Sequence, residues 1–320
     1  MLRRSGLKSV AILGVSGYLA QALLRRLEQH SSVDRIVGVD LNPPRHHPPT
    51  LEFHPADLRQ APLARLIRGV EAVVYLASPP LPRASRTEPP PTELLTRIIT
   101  DAREAGARRV VVVTSAAAYG AHADNPMPIQ EFRPLRPNPG VYVSQYWAAM
   151  EQALDQLEQR GVFTHAVTEP FSVVRLRTAL PMGPDLPEAY AEVLRGKRIL
   201  LPNDAAPVQL LHTDDLASAI QCVLEAGDRP VYHAAGATPT LPSELFQTAG
   251  FTVLPLPRPL LEVLSQVAWH AGRGRVPHDL LRLSPHPMLL STVALQHELG
   301  WQPRFTTPEA LITTCQALRG

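Results

Sequence analysis

Lysine is nearly missing from this chain: among 31 basic residues only Lys8 and Lys197 carry an amine, the rest being arginines. Arginine does not titrate near neutrality, so a site needing a proton-exchanging amine has only those two to draw on. Cysteine is as scarce. Cys222 and Cys315 lie far apart in helical-looking stretches without metal-ligand spacing, the pattern of reduced core residues in a reducing compartment. The 12 histidines fall into no His-x-x-x-His or comparable grouping, which predicts no metal site. Net charge is small, +2 from 31 basic and 29 acidic residues. With no basic run interleaved with aromatics there is no electrostatic footprint for nucleic acid, and Arg45, His46 and His47 read as a solvated loop. No apolar run reaches the ~18 residues that a membrane span needs.

What is present points to a layered α/β protein. The 320 residues are 45% hydrophobic, enough for one large domain or a domain with a smaller lobe. Short apolar runs at 9–14, 35–40, 50–54, 71–77 and 109–115 read as strands. Their near-continuous Val, Ile and Leu implies burial on both faces, as in a parallel sheet. Between them, 19–30, 62–70 and 92–106 carry apolar residues at helical spacing, with Gly106 as a stop. The alternation predicts a doubly wound parallel sheet over 1–175. Beyond it prolines multiply and strands shorten (208–212, 230–234, 252–256), which predicts a smaller, partly interleaved α/β lobe over 176–320. The apolar segment 259–272 reads as a core helix or as the wall of an apolar pocket. Proline-rich 79–91 and 126–139 read as loops over the sheet.

The N-terminus imitates a secretory signal, with a basic start, an apolar run and Ala20-Gln21-Ala22. Cleavage there would destroy a strand–turn–helix unit and strip the 35–40 strand of its neighbour. The expected reading is an intact N-terminus and a cytoplasmic protein.

That unit carries the first chemical signal. Gly14, Gly17 and Ala20, with Tyr18 and Leu19 between them, form a Gly-x-x-Gly-x-x-Ala turn between strand and helix. Small residues there let backbone approach a pyrophosphate, and the helix N-terminus offers unpaired N–H groups to it. The next strand ends in Asp40, about 20 residues on, where a carboxylate accepts hydrogen bonds from a ribose 2′-hydroxyl. An anion there repels a 2′-phosphate, so NAD is expected over NADP.

With these features the chain resembles the extended short-chain dehydrogenase/reductase family, the NAD-dependent epimerase/dehydratase group, with its Rossmann fold. Asp57-Leu58 resembles the adenine-contacting pair, and Ala77 the small residue lining the cofactor. "TSAAAYG" resembles the family's Ser-Ser-x-x-x-Tyr-Gly run and puts Ser115 at the catalytic serine position. Further matches are "RTALPMGP" (177–184), the segment holding His212, Asp214, Asp215, Leu216 and Ala217, and "HELGWQP" (297–303). The resemblance implies a small-molecule substrate, either a sugar nucleotide held by arginines such as Arg258, Arg273 or Arg275, or a hydrophobic alcohol or ketone. It also implies a homodimer through helices near 89–106 and 140–160.

One part of the pattern is absent. Such enzymes carry Tyr-x-x-x-Lys, the lysine lowering the tyrosine pKa and holding the nicotinamide ribose. Here "PGVYVSQYWAAME" (139–151) offers three registers. Glu151 as anchor puts Val143 and Trp147 in the two positions; Tyr142 as anchor pairs it with Tyr146; Ser144 as anchor gives Val141 and Gln145. None supplies the lysine. Ser115, Tyr142 and Tyr146 remain the candidate catalytic residues, either for weak or altered redox chemistry or as relics in a dinucleotide-binding sensor, scaffold or subunit.

Overall fold

The structure, a computed structural model, describes residues 6–76, 92–163 and 171–319. Strands β1 (Ser9–Leu13), β2 (Arg35–Asp40), β3 (Leu51–Pro55), β4 (Ala72–Tyr75) and β5 (Arg109–Ser115) come first. They coincide closely with the five predicted runs. Then follow β6 (Ser172–Thr178), β7 (Leu180–Met182), β8 (Arg198–Pro202), β9 (Leu210–His212), β10 (Val231–Ala234) and β11 (Thr252–Leu256). The helices are α1 (Tyr18–Glu28), α2 (Leu63–Leu66), α3 (Thr92–Glu104), α4 (Tyr142–Gln159) and α5 (Glu188–Arg195). They continue as α6 (Thr213–Ala226), α7 (Pro242–Thr248), α8 (Arg258–His270), α9 (Val293–Leu299) and α10 (Thr307–Arg319).

Seven strands make one parallel sheet in the order β3-β2-β1-β4-β5-β6-β10. Alternate residues of each strand face opposite layers, and both layers are apolar. Val10 and Ile12 of β1 join Leu23 and Leu24 of α1 and Ile220 and Val223 of α6 on one side. Ala11 and Leu13 join Ile98 and Ile99 of α3 and Met150 and Leu154 of α4 on the other. This two-sided burial is why the strands read as unbroken apolar runs. The strand order reverses at β1, between β2 and β4, so a crevice opens at the carboxyl ends of these strands.

The expected boundary after residue 175 falls inside β6, whose register with β5 runs unbroken from Ser172 to Thr178. Another piece of the later chain, β10, returns to pair with β6 and closes the sheet edge. The remaining lobe is built on β8 paired with β11, β7 paired with β9, and a core of Leu186, Leu194, Leu245, Phe251 and Leu311.

Helix α8 corrects the expectation for 259–272. It is not a core helix, since within it only Leu261 is buried, and none of its residues lines the cavity described below. Leu260 (47% exposed), Val263 (58%), Leu264 (45%) and Val267 (63%) form a solvent-facing stripe at i, i+3, i+4 and i+7. Hydrophobic periodicity reports an apolar face, not what covers it. The proline-rich 79–91 segment and Ala77 lie outside the described residues; 126–139 forms an irregular loop, as expected, with Ile129 buried in it.

Candidate functional site

At the crevice the glycine turn is shaped by backbone needs. Gly14 has φ of 89°, a conformation that favours glycine, and its N–H donates to Val39 O at 3.0 Å. A Cβ on Gly17 would stand 3.2 Å from Gly14 O. Gly17 N-caps α1 without a side-chain hydrogen bond, so the first N–H groups of this 11-residue helix have no side-chain cap. Ala20 is buried behind the turn, while buried Leu19 and half-buried Tyr18 line the adjoining cavity.

Asp40 ends β2 beside this turn. Its Oδ2 accepts the Ser16 N–H at 2.9 Å and its Oδ1 the Leu41 N–H at 2.7 Å, which fixes the carboxylate against the loop. Gln21, buried in α1, is a residue that the sequence reading passed over. Its amide donates to the carbonyls of Val15, Ser16 and Gly17 at 3.3–3.4 Å, and its Oε1 accepts the His46 N–H. One side chain thus clamps the whole turn. The available signal was a polar residue on the helix's apolar face. Asp57 sits beyond β3 and caps its own turn by accepting the Arg59 N–H at 2.8 Å, with Leu58 packed on the sheet layer behind.

Ser115 ends β5, where its hydroxyl oxygen accepts the Ala117 N–H at 3.2 Å and caps a short 3-10 turn (Ala116–Tyr119). It lines a cavity together with Tyr142, Val143 and Trp147 of α4. Tyr146 does not: it is buried in the core layer, in edge contact with Trp147. Residues one turn apart share a helix face, and Val143 and Trp147 both reach the cavity; Tyr142 reaches it from the helix start, whereas Tyr146 packs into the core layer. Of the three registers, only that anchored on Glu151 brings both of its positions to the cavity wall. Ser144 is fully buried, donates to Ala117 O at 2.7 Å and accepts the Asn138 N–H, a purely structural role.

Glu151 itself is buried beneath the site. It receives Arg177 on both oxygens at 2.9 Å and the Thr114 hydroxyl at 2.6 Å. Burial opposes its ionisation, but the Arg177 guanidinium outweighs that and holds the carboxyl below its usual range. Arg177 also donates to the Tyr119 hydroxyl at 2.6 Å, and that hydroxyl meets His233 Nε2 at 2.7 Å.

Two phenols on the cavity wall, those of Tyr18 and Tyr190, are biased away from ionisation. Burial pushes the Tyr18 hydroxyl up, with Tyr190 adding to it, and burial and then Asp279 push up Tyr190. Neither Lys8, before β1, nor Lys197, before β8, lines the cavity. Later matches to the family pattern are structural here. His212 caps α6, Asp215 accepts the Arg304 and Phe305 N–H groups at 3.0 Å, and Trp301 donates to Ser218 at 2.8 Å. Among the described residues no cluster of His, Cys, Asp and Glu could hold a metal, and no helix is long and apolar enough to cross a membrane.

Known proteins with this architecture agree on its kind. The profile of the NAD dependent epimerase/dehydratase family matches residues 10–235. An uncharacterised protein of Mycobacterium tuberculosis (strain ATCC 25618 / H37Rv) is 23% identical, over 95% of this chain and 82% of its own length. Among solved structures, MoeE5 in complex with UDP-glucuronic acid and NAD is 20% identical with a TM-score of 0.72, covering 97% of this chain and 99% of that one. DesIV, a dTDP-glucose 4,6-dehydratase from Streptomyces venezuelae with NAD and TYD bound, is 21% identical with a TM-score of 0.72, covering 97% of each chain.

Proposed function

Since this chain belongs to the NAD dependent epimerase/dehydratase family, we propose that it binds NAD and carries little ordinary dehydrogenase activity. The carrying observation is that Val143 and Trp147, an alkyl chain and an indole, face the cavity beside Ser115.

The binding half fits the dinucleotide. Gly14, Gly17 and the uncapped start of α1 suit a pyrophosphate. The Asp40 carboxylate, fixed by two backbone N–H groups, keeps lone pairs for a ribose diol. Asp57 and Leu58 flank the adenine side. When bound, NAD supplies a hydride acceptor. The proton must then be handled by the chain. Ser115 has its hydroxyl hydrogen free to orient a substrate oxygen, because its bond to the Ala117 N–H uses the oxygen as acceptor.

Among the described residues the wall carries no lysine or histidine, and its one carboxylate, Asp279, is engaged by the Tyr142 N–H. An unassisted tyrosine near pKa 10 is ionised to about one part in a thousand at pH 7, a deficit of roughly 4 kcal/mol. Neither of the chain's two lysines joins Tyr142 at the wall, and Tyr18 and Tyr190 are shifted the wrong way. Trp147 offers neither a cation for the tyrosine nor a donor geometry like that of an ammonium. Complete absence of turnover would leave the alternative reading, a dinucleotide-binding sensor, scaffold or subunit.

Calorimetry of wild type and Asp40→Ala with NAD and NADP tests the binding half: NAD binds wild type best, and the variant weakens NAD at least tenfold. Equal affinities in both proteins, or a wild-type preference for NADP, overturn it. NADH absorbance with alcohols from pH 6 to 10 tests the chemical half. A slow rate that climbs toward pH 10 and falls in Tyr142→Phe is expected, whereas brisk turnover at pH 7 that survives Tyr142→Phe overturns that half.

A further inference from the structure

Beyond Ser115 the cavity runs into the second lobe, and its chemistry there is one-sided. Leu180, Met182 and Leu186 line it from the segment after β6, and Pro277 and Leu280 from the segment after α8. No arginine, lysine or histidine lines it among the described residues. The one charged lining residue among those described is an acid, Asp279, whose Oδ2 accepts the Tyr142 N–H at 2.7 Å.

The arginines that the sequence offered for a diphosphate are elsewhere. Arg258 is held by Asp204 and donates to Leu281 O and Ser284. Arg275 pairs with Glu192 at 2.7 Å, and Arg273 follows the end of α8, exposed. A diphosphate in this pocket would leave water, meet no cation among the described residues and face a carboxylate. Burying an unpaired charge is strongly unfavourable, and a like charge adds to the cost.

We propose that this pocket takes an uncharged, largely apolar molecule bearing one hydroxyl or carbonyl oxygen, and excludes nucleoside diphosphates. The oxygen lies toward Ser115 and the hydrocarbon body toward Met182, Leu186 and Leu280. The inference rests on the preceding reading for which end of the cavity holds the reacting oxygen. Its apolar selectivity follows from the wall alone. Three-dimensional likeness to enzymes crystallised with sugar nucleotides extends to the backbone, whereas ligand class is decided by side chains.

The test uses the full chain, with and without saturating NAD, and titrates 2-decalone, UDP-glucose and UDP by ligand-observed NMR and calorimetry. 2-Decalone binds, while UDP-glucose and UDP show no saturation up to about 5 mM, weaker than ~3 kcal/mol of binding free energy. Met182→Gln and Leu280→Gln each weaken 2-decalone at least fivefold, with melting curves confirming that the variants fold. Saturable UDP-glucose binding displaced by 2-decalone, no binding of 2-decalone, or unchanged 2-decalone affinity in both folded variants overturns the proposal. If NAD fails to bind while 2-decalone binds and both variants lose it, the NAD reading falls and the pocket assignment stands. If NAD binds and 2-decalone does not, the pocket assignment falls and the NAD reading stands.

Discussion

On the proposed reading, Trp147 is the residue that most constrains the chemistry of this site. It stands on the inward face of α4, one turn after Val143 and one turn before the buried Glu151. Replacing the pair, Val143→Tyr with Trp147→Lys, puts a phenol and an amine side by side at the cavity wall. Partial burial lowers the amine's pKa and the amine's charge lowers the phenol's, so both move toward neutrality. NADH formation from an uncharged alcohol at pH 7 rises at least tenfold over wild type, read by absorbance. The same substitution in the register of Tyr142 and Tyr146, Tyr146→Lys, instead buries an amine in a packed layer, and it lowers the melting temperature without adding rate.

His233 sets a second prediction at this scale. Burial, and then the nearby Arg177 charge, push its imidazole down to about 3, while Glu151, and Glu131 4.0 Å from its Nδ1, face it as acids. In the unfolded chain it titrates near 6.5, so between about pH 6.5 and 3 the unfolded state holds the extra proton. Its contribution to stability is therefore complete above pH 6.5 and is lost as pH falls toward 3. Between pH 7 and pH 5 this amounts to about 2 kcal/mol, visible in urea melts. His233→Gln keeps a neutral polar group and flattens that slope by about one proton; an unchanged slope would mean that the imidazole is not held neutral.

At the scale of elements, α8 separates two meanings of an apolar residue. Leu261→Ala empties a packed position and costs about 2–5 kcal/mol. Val263→Ser with Val267→Ser, one face away, stays within about 0.5 kcal/mol of wild type for each substitution because both side chains already meet water. Denaturant melts of the two variants check the contrast. The sequence reading had α8 as a helix but mistook its surroundings, since a wholly apolar face looks the same whether covered or bare.

Elsewhere the legible parts share one cause. β1, β2 and β5 are flanked by helices on both faces, so burial is written along their whole interior and their bounds could be read directly. β10 is only four residues long, and nothing local tells that it pairs with β6 rather than with its chain neighbours. Gly14, Gly17 and Asp40 were legible as a turn and a strand end because their spacing is local. Tyr146 falls in the core layer because successive positions on a helix turn by about 100°, and only the cavity resolves which face is which. The Glu151–Arg177–Tyr119–His233 chain joins four distant segments, and only the folded sheet brings them together.

For the molecule as a whole, the sheet is assembled in an order that synthesis does not follow from edge to edge. β1 lies inside the sheet, and strands are added outward from it, β2 and β3 on one side, then β4, β5 and β6 on the other. Parallel pairing of this kind rewards contacts only after long loops have closed. The last position is filled by β10, whose register runs Val231↔Arg175 to Ala234↔Thr178. A ribosome that has made β6 but not yet β10 therefore holds a nascent chain in which the backbone of β6 that later pairs with Val231 to Ala234 is bare. For that interval the growing chain is open to pairing with a neighbour's strand on the same polysome. Codon choice between residues 179 and 230 sets how long the interval lasts, and so links the yield of folded protein to the speed of translation through that stretch.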